Sequence, residues 1–353
     1  MDGFQGKTTG KGGLTYPWGE DTPDTGETLE IVPGLHWVRM PLPFSLKFIN
    51  LWLIDDGESW TIIDTGMPLD DTKTAWRKIF AEKLDGKPVT RVIVTHMHPD
   101  HVGNAGWLTR KFPGAELFMS RLEYISCRML VADTGREVPQ AGTEFYRRAG
   151  WSDSELELYK TRFGGFGRGV SRMPDRYKRL SDGDTIDLGG ETWSVMIGRG
   201  HSPEHACLYC PSRNILISGD QILPRISSNI SVFPTEPDAN PLAEWLESCE
   251  RLREDLPEDV LVLPAHNEPF RGAHRRLTHL IDGHEVALTR LLRKLKTPQR
   301  VVDTFTSLFA RKIEGDTIGM ATGEAVAHLN LLMARGLVKR TTGEDGVDRY
   351  VAN

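Results

Sequence analysis

The sequence predicts an α/β fold in which two β-rich halves flank a helical insertion, with a small helix-and-hairpin module at the C-terminus. Three observations carry that reading. Short β-branched runs bounded by Gly, Asn and Asp turns recur over 29–95 and again over 177–263. Between them, residues 120–176 are polar, mostly helical in pattern, and interrupted by Phe163-Gly164-Gly165-Phe166-Gly167-Arg168-Gly169. Imidazoles and carboxylates gather where the strands end, the usual place for a site in such folds.

The elements follow in order. Residues 1–27 are rich in Gly, Asp and Thr and read as a flexible segment; they show no apolar run with a small-residue cleavage site, which fits a cytoplasmic protein. Strands are expected over 29–32, 36–40, 48–54 and 60–64, the last closing on the turn Asp64-Thr65-Gly66. A helix over 69–84 puts Trp76, Ile79 and Phe80 on its inner face. A strand over 91–95, a helix over 102–111 and a strand over 116–119 complete the first half. The Gly-rich run is too free to hold one conformation unaided, and reads either as a cover over a site or as a surface connection.

Strands return over 177–180, 185–188, 192–197, 206–210 and 215–218, with hairpin signals at Asp182-Gly183 and Gly189-Gly190. Asn240 caps, and Pro241 opens, a helix to about residue 253, and 260–263 is the last strand of a domain spanning 28–270. Residues 271–353 form the C-terminal part. Its first helix, 271–296, carries the stripe Leu277, Leu280, Ile281, His284, Leu288, Leu291, Leu292 and Leu295, which turns His284 inward. Helices over 301–313 and 321–335 and a hairpin of 337–340 with 348–351 read as a small winged-helix-like module.

Composition narrows the function classes. With 39% hydrophobic and 26% charged residues, a chain of 353 residues can bury a sizeable core. The net charge of -6 disfavours partnership with nucleic acid or an anionic membrane, although Arg271 to Arg300 holds eight Lys or Arg against Asp282 and Glu285. No apolar run approaches the length of a membrane span. The four cysteines are too scattered for a disulfide framework, and Cys207-Leu208-Tyr209-Cys210 sits inside an apolar strand where core packing is the expected role.

The densest chemistry lies in Thr95-His96-Met97-His98-Pro99-Asp100-His101, directly after an apolar strand. His96 and His98, two apart in extended chain, project on one side and can grip one ion. Pro99 redirects the chain, so Asp100 and His101 point elsewhere and can hold a second. Burying these groups without a metal would leave too many polar atoms and charges unpaired. His201, Asp220 and His266 each follow a later strand and add three more ligand types.

This ordered set, His96-x-His98-x-Asp100-His101 then His201, Asp220 and His266, resembles the metallo-β-lactamase fold hydrolases. Asp64-Thr65-Gly66 matches the family's early strand-turn motif, whose Asp supports a ligand without touching the metal. The C-terminal tail is similar to that of the glyoxalase-II-like and endoribonuclease-like branch. The resemblance implies an αββα sandwich with two divalent ions in the cleft at the sheet edges. By the same resemblance His96, His98 and His201 hold one ion, Asp100, His101 and His266 the other, and Asp220 bridges both. His205 is read as a supporting residue, like Asp64.

Two ions so placed would bring a bridging hydroxide within reach of neutral pH, with Asp220 and Asp100 as the catalytic carboxylates, Asp100 shuttling the proton to the leaving group. Zinc suits these donors best, with iron or manganese as alternatives. The expected substrate is a small thioester, ester or lactone, an acyl-CoA or glutathione thioester foremost. Arg225, and Asn229 beside it, are the candidate substrate-binding residues, since the stretch leaving Asp220 should line the cleft. The alternative is a metal-dependent phosphodiesterase or endoribonuclease acting on RNA through the basic segment; a redox relative ranks last. The sequence leaves room for a homodimer.

Overall fold

The computed structural model describes residues 12–353 and the backbone of a short strand, Thr8–Thr9. Two sheets pack face to face. The first runs in chain order through Thr28–Val32, Leu35–Pro41, Phe48–Asp55, Trp60–Ile63, Val89–Ile93, Glu116–Ser120 and Lys178–Leu180. Its first four strands are antiparallel, and pairing turns parallel from Trp60–Ile63 onward, where helices cross over between strands. The second sheet orders Thr8–Thr9, Thr15–Tyr16, Phe270–Arg271, Leu261–Pro264, Ile215–Gly219, His205–Cys210, Glu191–Gly198 and Thr185–Leu188.

The period-2 alternation of strand residues sorts the core into layers. In Phe48–Asp55, Trp52 and Ile54 face the second sheet, meeting Trp193, Val195 and Leu208, whereas Ile49, Leu51 and Leu53 face outward. That outer face is covered by Asp70–Glu82, through Ala75, Trp76 and Ile79, and by Ala105–Lys111 and Arg121–Ala132. On the far side, Leu216, Val262 and Phe270 pack beneath the helices Pro241–Asp255, Ala273–Lys294 and Ile318–Ala334. The result is an αββα sandwich. Asn240 caps Pro241–Asp255 through its side chain, as its position before Pro241 predicts. Among the described residues no helix is long and apolar enough to cross a membrane.

Several expectations need correction. Within the flexible segment expected over 1–27 the chain is packed from Leu14 on: Leu14, Tyr16 and Trp18 alternate, are buried, and Thr15 pairs with Arg271. Three apolar residues at period 2 outweigh the Gly and Asp around them. Residues 1–7 and 10–11 lie outside the described residues. The helix expected over 102–111 is split into Pro99–Val102 and Ala105–Lys111. The break frees Asn104, whose amide donates to the carbonyls of Thr65, Gly66 and Met67 and bolts down the Asp64 turn.

The Gly-rich run packs beside the end of Arg121–Ala132, where Gly164 and Gly167 come close to Asp133, Thr134 and Val131. Gly165–Gly169 forms a single 3-10 turn, and the chain just beyond it is tied to the His motif by Ser171 N–H donating to the Gly103 carbonyl. In the C-terminal part the helix expected over 301–313 is reduced to a turn, Val302–Thr304, and one short helix, Phe305–Leu308. Phe309 is extended, so it and Ile313 reach the core without a continuous helix. Ile318–Ala334 begins three residues before its expected start at 321, and the hairpin pairs Val338–Thr342 with Asp348–Ala352. Only one of the two helices expected before the wing is a long helix. The cysteines are free and buried, in keeping with core packing.

Candidate metal centre

Strand ends from both sheets meet at one edge of the sandwich. Val89–Ile93 delivers His96 and His98 on its exit loop, and Pro99–Val102 carries Asp100 and His101 on one turn of helix. The hairpin between Glu191–Gly198 and His205–Cys210 presents His201, the end of Ile215–Gly219 presents Asp220, and the end of Leu261–Pro264 presents His266. Gly219 is required for this. Its φ is +50°, and a Cβ there would lie 2.5 Å from Nε2 of His205, the atom that accepts the Asp220 backbone N–H at 3.0 Å. His205 therefore fixes the backbone of Asp220.

The seven side chains fall into two groups that could each hold a metal ion: His96, His98, His201 and Asp220, and Asp100, His101 and His266. Asp220 faces both. Its Oδ2 lies 3.4 Å from His201 Nε2 and 4.0 Å from His96 Nε2, while its Oδ1 lies 3.6 Å from His101 Nε2 and 3.5 Å from His266 Nε2. Asp100 Oδ2 approaches the second group as well, 3.4 Å from His266 Nε2.

In four of the five imidazoles the outer ring nitrogen is anchored, which settles where the inner one points. His101 Nδ1 is held by Asp64 Oδ2 at 2.7 Å, His201 Nδ1 by the Asn229 carbonyl at 2.8 Å, and His266 Nδ1 by the Phe48 carbonyl at 3.1 Å. Because a carbonyl only accepts, Nδ1 of His201 and His266 carries a proton, which leaves Nε2 as the nitrogen that can offer a lone pair to a metal. His96 Nδ1 lies 3.1 Å from the Thr95 hydroxyl, which itself donates to Asp64 Oδ2. His96 Nε2 then sits 2.8 Å from His98 Nδ1, a pairing that a single proton or a shared cation satisfies.

The electrostatics fit a cation. Burial, with the neighbouring imidazoles, holds His96 well below the usual imidazole range and His98 down to about 3, so both stay neutral and able to donate lone pairs. Burial also pushes against charge on His101 and His266, but Asp64, Asp100 and Asp220 around the first, and Asp220 and Asp100 around the second, outweigh it and raise both. The buried inner atoms His101 Nε2, His201 Nε2 and Asp220 Oδ1 have no hydrogen-bond partner. Orphaned atoms of this kind are costly unless something positive lies between them.

The two residues expected to bind substrate both have partners within the protein. Arg225 pairs with Glu268 at 2.8 Å and lies 5.2 Å over the Tyr16 ring. Asn229 donates from Nδ2 to Glu324, accepts at Oδ1 from Ser231, and gives its carbonyl to His201. It is a brace for His201. Sequence reasoning missed Glu123, a fully buried carboxylate that accepts the Met97 N–H at 2.8 Å, the Ser202 hydroxyl at 2.6 Å and the Glu204 N–H at 2.8 Å. It clamps the His96–His98 loop to the His201 loop. Its signal was an acid one turn before Cys127 on a buried helix face.

Comparison with known proteins agrees with this geometry. The family model of the metallo-beta-lactamase superfamily matches residues 45–266, well over half of the chain. The chain belongs to that superfamily. The model of the metallo-beta-lactamase-like C-terminal domain matches residues 288–353 of this superfamily member. The crystal structure of a beta-lactamase domain protein from Burkholderia ambifaria is similar to it with a TM-score of 0.88 and 40% identity, covering 96% of this chain and 98% of that one. The probable metallo-hydrolase YqjP of Bacillus subtilis is 25% identical over 84% of this chain and 91% of its own length. The human acyl-coenzyme A thioesterase MBLAC2 is 27% identical over 69% of this chain and 81% of its own. This superfamily member is a metallo-hydrolase.

Proposed function

We propose that the chain hydrolyses small thioesters, with acyl-coenzyme A as the favoured substrate class, at a centre of two divalent ions. The observation that carries the reading is Asp220, whose two oxygens face two separate groups of imidazoles. In this reading His96, His98 and His201 would hold one ion, Asp100, His101 and His266 the other, and Asp220 would offer an oxygen to each. When bound, such a pair supplies a water acidified towards neutral pH and an electrophile for the carbonyl under attack. Zinc is the expected metal, and iron or manganese suit the same donors.

The chain's own residues orient and move protons. His205 and Gly219 hold the Asp220 backbone, and Asp64, Asn229 and the Phe48 carbonyl aim three imidazoles inward. Burial disfavours charge on Asp100, yet the His101 charge and the bond from His266 keep its carboxyl below the usual range, so it arrives ionised. With Oδ2 turned to His266, Oδ1 would take the proton that the attacking water gives up and pass it to the departing thiolate, which leaves as the thiol.

The name of the human relative supports the thioester class. Against RNA stands the fate of the basic segment. Arg271, Arg275 and Arg276 donate to backbone carbonyls, and Arg300 pairs with Asp303, so four of its eight cations are engaged within the protein.

A substrate panel tests the proposal: acyl-CoA thioesters, glutathione thioesters, lactones, phosphodiesters and short RNA, run on metal-loaded protein alongside metal analysis. Two ions per chain and turnover of acyl-CoA thioesters are expected. Turnover of RNA alone would transfer the centre to phosphodiester chemistry, and protein that takes up no divalent ion would overturn the reading.

A further inference from the structure

The C-terminal helix Ile318–Ala334 reaches the centre although it contributes no ligand. The strap between Asp220 and Pro234 runs along it. Val232 N–H donates to the Gly323 carbonyl at 3.1 Å, and a Cβ on Gly323 would stand 2.7 Å from the Ser231 Cβ, so the two backbones touch only because position 323 has no side chain. One residue further, Glu324 accepts the Asn229 Nδ2 at 2.7 Å. The other end of the Asn229 amide accepts the Ser231 hydroxyl at 2.6 Å, so the side chain is held at both ends. What that fixes is the Asn229 carbonyl, 2.8 Å from His201 Nδ1.

We propose that Glu324 is a positioning residue of the metal centre, acting on His201 through Asn229. The inference rests on the reading of His201 as a ligand. A group that holds the far nitrogen of a ligating imidazole sets its tautomer and its aim, and here that group is a main-chain carbonyl whose own position depends on a side chain from another part of the fold. Glu324 is partly buried, and burial pushes its carboxyl up to about 7. Gln therefore imitates it closely, keeping an oxygen for Asn229, whereas Leu keeps the bulk and loses the acceptor.

The test uses the full chain loaded with cobalt(II), whose ligand-field spectrum reports the geometry of His ligands. Glu324→Leu is expected to keep the wild-type circular dichroism, to alter the cobalt spectrum, and to release one of two ions to a chelator about 10-fold faster or more. Glu324→Gln should restore both. Asn229→Ala, which keeps the carbonyl but frees it, should repeat the Leu phenotype and serves where Glu324→Leu does not fold. Wild-type spectra and release rates in Glu324→Leu, or in Asn229→Ala in that event, overturn the inference. A wild-type chain that binds no cobalt overturns both this inference and the metal reading. Cobalt uptake without thioesterase activity removes only the substrate class, and the Leu and Gln comparison still decides the role of Glu324.

Discussion

The two groups of side chains that meet at Asp220 are held by different means. His96 and His201 rest their outer nitrogens on neutral partners, the Thr95 hydroxyl and the Asn229 carbonyl, and burial keeps His96 and His98 uncharged. His101 and His266 sit among carboxylates, and the same burial loses to Asp64, Asp100 and Asp220, which draw protons onto both rings. The first group is thus a set of lone pairs, and the second a pocket of negative charge that a cation must share with protons. In the proposed reading, metal affinity at the second group would depend on Asp64 and Asp100 as well as on the shared Asp220, whereas the first group has Asp220 alone.

Asp220 is where the two plans join, so its removal has the largest expected effect. Asp220→Ala withdraws an oxygen from each group at once. Both ions should bind more weakly, and hydrolysis should fall on the order of 1000-fold, the equivalent of several kcal/mol of lost charge stabilisation. Circular dichroism should be unchanged, since the backbone there is held by His205. Loss of one ion only, read by metal analysis, would show that Asp220 belongs to a single group.

Asp64→Asn asks whether the contrast is real, because Asp64 serves one group far more than the other. Its Oδ2 holds His101 Nδ1 at 2.7 Å, and its Oδ1 accepts the Thr95 N–H at 2.8 Å. An amide keeps the size and removes the charge that helps to hold His101 protonated. The second ion should weaken by about 10- to 100-fold in a chelator competition, with the first little changed. Equal weakening of both would dissolve the distinction between the groups.

How far the centre could be read from sequence follows from the same contrast. The candidate ligands come in runs or at strand ends, which is how spacing singles out His96 to His101 and the later strand ends single out His201, Asp220 and His266. Their supports do not share that property. Asn50 and the Phe48 carbonyl reach Pro264, Asn267 and His266 across more than 200 residues, and no local pattern marks either end. Glu123 looks like any first-turn acid until the fold buries it. Asn229 stands out in the sequence only by its place after Asp220, since it is the fold that sets Glu324 beside it. The layers were legible because alternation and helical period act over whole elements. The 301–313 segment was not, because Phe309 and Ile313 reach the core equally well from extended chain.

A third electrostatic setting offers the finest test. His284 and His328 face one another at 3.3 Å, His328 Nδ1 meets the Glu324 carbonyl at 2.8 Å, and both rings are buried. Here burial meets no carboxylate strong enough to oppose it, and each pKa is held down to about 4. The unfolded chain takes up protons on these rings below about pH 6.5 while the folded chain does not until near pH 4. Their contribution to stability is therefore complete above pH 6.5 and lost on acidification to about 4, at most about 3 kcal/mol for each ring. The raised rings His101 and His266 work in the opposite sense in metal-free protein: their contribution is complete below their ordinary pKa and is lost as pH rises through the folded one. Urea unfolding of metal-free His328→Leu should show a shallower loss of stability than wild type between pH 6.5 and 4, by about 1 to 3 kcal/mol. Leu also changes packing, but that offset is the same at every pH, so the slope isolates the titration. Parallel curves would mean that the pair does not stay neutral through this window, and that burial alone does not set the charge of an imidazole in this fold.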